Sequence, residues 1–201
     1  MKRPSAVALA LVASAPIAAV LSLSAAEPAL AHPGHLELGL AAGLIHPFSG
    51  LDHMLAMTAV GLFAAIKGGK AMVVWPLGFV AAMLVGYGCG VAHPGLTMAE
   101  PAILASVIVL GVLVAAMARA PFAIGLGLIA VFGLAHGYAH GSEAPAGGGL
   151  AFPFGFALST AGLHLTGLAV GALALRLRRP ALLRALGAAT ALGGVALAFA
   201  G

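Results

Sequence analysis

Two histidines and an aspartate stand inside a stretch that otherwise resembles hydrocarbon. His46-Pro47-Phe48-Ser49-Gly50-Leu51-Asp52-His53 lies within an apolar segment running from about Leu36 to Ile66. An ionisable group at the centre of a bilayer costs about 2.5–3.5 kcal/mol on insertion scales, so such groups persist when they bind, carry or pair. A second polar stretch ends a later apolar segment: Phe132-Gly133-Leu134-Ala135-His136-Gly137-Tyr138-Ala139-His140-Gly141-Ser142-Glu143. His136 and His140 are four apart, so their imidazoles share one helix face, and Glu143 continues that face three residues on. His164 is the sole ionisable residue of a third apolar segment, near Ser159, Thr160 and Thr166.

One buried histidine is readily a hydrogen-bonded packing residue, Asp52 could simply partner it, and a lone H-x-x-x-H is a weak signal. His46, Asp52, His53, His136 and His140 together, with His164 and Glu143 nearby, exceed what packing needs. Imidazole with a little carboxylate suits nickel, cobalt, copper or zinc, whereas magnesium and calcium want oxygen. The single cysteine, Cys89, excludes an internal disulfide or a cysteine zinc cluster, and is expected as a small packing residue in a helix. Met54 and Met57 form no paired motif, which argues against copper(I). Spacing alone leaves the metal open.

The elements that must position these residues follow from composition. The 201 residues are 62% hydrophobic and 7% charged, against about 25% charged in a soluble domain. Such a chain cannot cover a water-facing surface, so the expected fold is all-α, a polytopic membrane helix bundle. The net charge of +4 does not point to nucleic acid, because the nine Lys and Arg form no long basic run. Residues 1–31 read as a cleavable signal peptide. Lys2 and Arg3 form a positive start, an apolar run extends from Ala6 to about Leu23, and Ala29-Leu30-Ala31 is an A-x-A cleavage site. An uncleaved anchor is the plainer alternative. Cleavage would expose His32-Pro33-Gly34-His35-Leu36-Glu37, where a free amine, His32 and His35 could capture a divalent ion at the outer face.

Residues 32–201 then form one six-span domain. The expected spans are about Leu38–Ile66, Ala71–Val91, Ala102–Ala118, Phe122–His140, Phe152–Leu175 and Ala181–Ala200. The first is too long for one straight crossing and should break near Pro47–Gly50. Pro47 predicts a kink around residues 43–47, while His46 and His53, seven apart, should lie on nearly one helical face. With the mature N-terminus outside, Lys67, Lys70, Arg119, Arg176, Arg178, Arg179 and Arg184 all fall on the cytoplasmic side. The opposite loops hold Glu37, Glu100 and Glu143 without Lys or Arg, and the C-terminus is outside; His93 reads as a surface residue of an outer loop. Glycines at 133, 137 and 141 leave a smooth stripe for a neighbouring helix, within one chain or in a homo-oligomer.

At these residues the chain resembles a known family. His46-Pro-x-x-Gly50-x-Asp52-His53 with Met54-Leu55-Ala56-Met57 is similar to the first-span motif of the HupE/UreJ nickel and cobalt permeases. Phe132-Gly133-x-Ala135-His136-Gly137-x-Ala139-His140-Gly141-x-Glu143 resembles that family's second motif. The stretch from Gly155 to Gly167, with His164, looks like its fifth span. The resemblance implies uptake of Ni²⁺ or Co²⁺ as transported substrate, not resident cofactor, across a bacterial inner membrane, serving enzymes such as hydrogenase or urease. It implies no catalytic activity, and makes these histidines, Asp52 and Glu143 the metal-handling residues. No G-x-x-x-x-G-K-[ST] phosphate loop occurs, so the expected transport is secondary or driven by the membrane potential. The competing reading is an intramembrane zinc-dependent hydrolase, in which three histidines and a carboxylate hold zinc and activate water.

Overall fold

The computed structural model describes residues 39–96, 98–144 and 149–200. The expected signal peptide, with His32, His35 and Glu37, lies outside the described residues. The described chain is helical throughout: α1 (Leu40–Ser49), α2 (Leu51–Lys67), α3 (Ala71–Ala92), α4 (Ala99–Ala115), α5 (Phe122–Ser142), α6 (Ala151–Arg176) and α7 (Pro180–Ala200). Four of these, α3, α5, α6 and α7, are long and apolar enough to cross a membrane, and α1 with α2 gives a fifth if the bent pair is one span. At 17 residues, α4 is about 26 Å long against a hydrocarbon core of about 30 Å. The chain is a multi-pass membrane protein.

The break in the first segment falls at Gly50, within the expected Pro47–Gly50 stretch, while α1 runs on through residues 43–47, where Pro47 suggested a kink. At the break α1 and α2 meet at 88°, and Pro47 sits inside α1. Proline removes the N–H that would bond the carbonyl four residues back, that of Gly43. Ser159 Oγ on α6 lies 3.4 Å from that carbonyl oxygen and 2.9 Å from Gly155 O, so a neighbouring hydroxyl serves the freed acceptor and α1 continues. Gly50 then takes an extended conformation (φ −110°, ψ 123°) and starts α2 anew.

Close approach between helices rests on small residues, since lipid tails are as apolar as leucine. A Cβ on Gly133, Gly137 or Gly141 would run into the carbonyl oxygens of Phe79, Met83 and Tyr87, so the stripe on α5 receives the backbone of α3. The register rises together along both chains, so α3 and α5 are parallel. Gly61 and Gly167 interlock α2 with α6 in the same sense, whereas Gly111 and Gly187 pair α4 with α7 antiparallel. These directions are those that alternating passage through a membrane requires. They also gather the cationic helix ends. Trp75 Nε1 donates to Phe122 O and Lys70 Nζ lies 4.2 Å from the Phe122 ring centroid, so the starts of α3 and α5 meet.

The central helix is α2, buried almost continuously from Ala56 to Ile66. With its Phe63, Trp75, Phe79, Leu110, Ile129 and Leu183 from the other helices form a core with essentially no exposure. Val73, Leu77, Val85, Ile124, Leu165 and Leu192 face outward, as lipid-facing side chains of spanning helices do. Cys89 lies on that exposed face as well, so it does not fill a gap between helices as expected.

Candidate metal-handling site

The 88° turn at Gly50 brings residues from two helices together that the sequence reading placed on one face of a single helix. His46 near the end of α1 and His53 at the start of α2 stand with ring centroids 6.0 Å apart, nearly perpendicular. His140, near the end of α5, fits between them. Its Nδ1 lies 3.0 Å from His46 Nε2 and its Nε2 lies 2.5 Å from His53 Nε2. His53 Nδ1 in turn lies 3.1 Å from Asp52 Oδ1. Phe156 closes the side of the cluster, 4.8 Å from His140 between ring centroids and 5.7 Å from His46.

The partners fix the protons. A carboxylate only accepts, so His53 carries its proton on Nδ1 and turns the lone pair of Nε2 inward. With neutral rings, His140 Nε2–H donates to that lone pair and His46 Nε2–H donates to His140 Nδ1. The result is a directed chain of four groups, Asp52–His53–His140–His46. These imidazoles bond to one another instead of converging on a point: among the described residues, no three or more His, Cys, Asp or Glu groups are arranged as a ready metal centre. Asp52 also stands in the first turn of α2, where a negative charge favours the helix N-terminus.

A cavity of about 230 Å³ opens onto this chain, lined by Asp52, His53, Glu100, Ile103, His140 and Glu143 among others. Asp52 is partly exposed, Glu100 and Glu143 are exposed, and His53 and His140 form the buried floor. Glu143 therefore stands at the mouth, below which His140 is the deeper member of its helix face. Sequence reasoning missed Glu100, which it assigned only to an outer loop. Its one local signal was an isolated carboxylate in the first turn of an apolar helix. Nearby, Tyr138 donates to His93 O at 2.5 Å and accepts from Leu96 N at 3.0 Å, tying the α3–α4 connection to α5. His93 is exposed, as expected.

His136 lies one turn below His140 and is fully buried. Its Nδ1 donates to Phe132 O at 2.9 Å, which leaves the lone pair on Nε2. Its ring centroid is 5.2 Å from that of His53. Beyond it the Phe79 ring is 5.5 Å from His136 and 5.0 Å from His164. His164 is also fully buried. His136 Nε2 and both His164 nitrogens have no hydrogen-bond partner among the described residues. A buried polar group left unpaired costs about 1–3 kcal/mol, so packing does not account for His164. The structure thus brings together His46, Asp52, His53, His140 and Glu143, and places His136 and then His164 progressively deeper.

The comparisons with known proteins agree with the resemblance. The family model described as HupE / UreJ protein matches residues 19–197. Protein HupE of Rhizobium leguminosarum bv. viciae is 39% identical over 176 residues, covering 86% of this chain and 92% of that protein. No solved structure is a significant match. With a family match over most of its length and a relative of this similarity, the chain belongs to the HupE/UreJ family.

Proposed function

We propose that the chain is a permease that carries a divalent transition-metal ion, nickel or cobalt, into the cytoplasm of a bacterium for enzymes such as hydrogenase or urease. The observation that carries this reading is the Asp52–His53–His140–His46 chain, whose His53 and His140 floor a cavity edged by Asp52, Glu100 and Glu143. In this reading residues 32–201 cross the inner membrane six times, both mature ends are outside, and His32 and His35 deliver the ion to the mouth. The seven basic residues from Lys67 to Arg184 face the cytoplasm, in keeping with the excess of Lys and Arg on that side.

Glu100, Glu143 and Asp52 attract the hydrated cation. Imidazoles then replace its water. Nitrogens bound to one ion at about 2.1 Å stand roughly 3.0–3.4 Å apart, close to the spacing of His46 and His140. His46 Nε2 carries a proton in the resting chain, so its ring flips or moves that proton to Nδ1 as metal bonds replace hydrogen bonds. Asp52 holds the His53 tautomer and offsets part of the ion's charge, a role in which an outer partner orients a ligand. A set that bonds to itself in the absence of cargo releases it more readily than a rigid cage, as transport demands. The membrane potential contributes about 2.3 kcal/mol per charge per 100 mV, and so about twice that for a divalent cation moving inward.

The test is uptake of radiolabelled nickel by cells expressing the chain, beside His53→Ala and His140→Ala at matched membrane levels. Uptake by the parent that cobalt competes away and both variants lose is expected. Parent uptake no higher than in cells lacking the chain would reject the proposal.

A further inference from the structure

The outer imidazole chain leaves three buried nitrogens unexplained: His136 Nε2, His164 Nδ1 and His164 Nε2. They do not join the outer hydrogen bonds, and the Phe79 ring lies against both His136 and His164. Two other donors are buried with them. Thr160 is one turn before His164 on the same face of α6, is fully buried, and directs its hydroxyl at Met83 Sδ, 3.8 Å away. Met83 is one turn after Phe79 on α3 and equally buried. Two imidazoles with free nitrogens thus flank Phe79, and a hydroxyl and a thioether lie one helical turn away from His164 and Phe79, from three helices in all.

Nothing in hydrophobic packing calls for that set, since leucine or phenylalanine would fill the same volume without stranded polar atoms. As ligands the groups make sense: imidazole with a soft thioether suits late first-row divalent ions and not magnesium or calcium. His136 is pre-set for the task, because its bond to Phe132 O at 2.9 Å keeps the lone pair on the inward nitrogen.

We propose that His136, His164, Thr160 and Met83 form a second, inner station for the transported cation, with the Phe79 ring against both imidazoles, reached from the outer imidazole chain through His136. This rests on the permease reading and adds a stage to it. The ion leaves His53 and His140, is taken by His136 Nε2, and passes to His164 when the Phe79 side chain turns aside. Two weak stations in series let each ligand set release the ion to the next, which one tight site cannot do.

The experiment compares nickel uptake and thermal stability for the full-length parent and His164→Leu. Leucine removes the two unpaired nitrogens and keeps most of the volume. The inner station predicts an uptake loss of at least about tenfold, the scale of losing one metal-supporting group, together with a melting temperature no lower than the parent's. Parent-level uptake in the variant would overturn the inner station while leaving the permease reading intact. Absence of uptake by the parent itself would overturn both. If His164→Leu does not reach the membrane, the volume-preserving pair Thr160→Val with Met83→Leu takes its place. Lower uptake in that pair supports the station, and parent-level uptake overturns it.

Discussion

Replacing Asp52 by asparagine keeps the shape of the side chain and removes its charge, and the structure sets two consequences. The first is the tautomer of His53. The carboxylate obliges Nδ1 to carry the proton, 3.1 Å away, whereas an amide can present its NH₂ instead and draw the lone pair to Nδ1. Changes of this kind behind a metal-binding histidine cost about 10–100-fold in affinity. The second is electrostatic. An ion held at His53 Nε2 by a bond of about 2.1 Å would sit about 7 Å from Asp52 Oδ1. A double and a single charge at that separation attract by about 1 kcal/mol in water and about 5 kcal/mol at an effective permittivity near 20. The Asp52 side chain is 26% exposed, so a value near 2 kcal/mol, about 30-fold, is appropriate. Initial rates of radiolabelled nickel uptake, measured well below saturation and normalised to protein in the membrane, should therefore fall by at least about 30-fold. Asp52→Glu, which keeps the charge, should recover part of the loss. If Asp52 only stabilises the start of α2, its charge is worth about 0.3–1 kcal/mol of stability, and the rate per membrane-inserted molecule would not change. An asparagine variant with the parent's normalised rate would refute the reasoning.

Further predictions follow from the same geometry. Gly50→Ala suits the extended backbone there but sets a Cβ 2.6 Å from Asp52 Oδ1 and 3.0 Å from His53 Nδ1; membrane levels should hold while uptake drops, and unchanged uptake would contradict the pairing. Gly137→Val drives a branched side chain at the Met83 carbonyl, an overpacking that costs about 1–3 kcal/mol or more and should lower the melting temperature in detergent. Gly127, with nothing within 4 Å of its Cβ position, should accept valine without that effect.

Much of this was legible in the chain because burial in a membrane leaves a simple signature. Each expected apolar segment is matched by a helix or by the α1–α2 pair, and the stripe at Gly133, Gly137 and Gly141 receives α3 as its spacing suggested. The short α4 keeps the count of crossings from resting on length alone. The break near Pro47–Gly50 was legible, but not which of the two residues would make it. Pro47 is the stronger local signal, yet Ser159, 116 residues beyond Gly43, lets the helix pass it and the bend moves to Gly50. The same bend undid the one-face reading of His46 and His53 while bringing their rings closer to His140. Glu100 was missed because only the packing of α4 beside α2 and α5 puts it at the mouth with Glu143. The free nitrogens of His164 were likewise invisible, since an unmade hydrogen bond has no sequence pattern.

The most direct measurement places the purified chain in liposomes that enclose a nickel-sensitive fluorophore, with an inside-negative potential and no other protein. The account predicts nickel influx that the potential accelerates, that cobalt competes with, and that His53→Ala abolishes. A correctly inserted, folded chain that passes no nickel or cobalt above protein-free liposomes would contradict it.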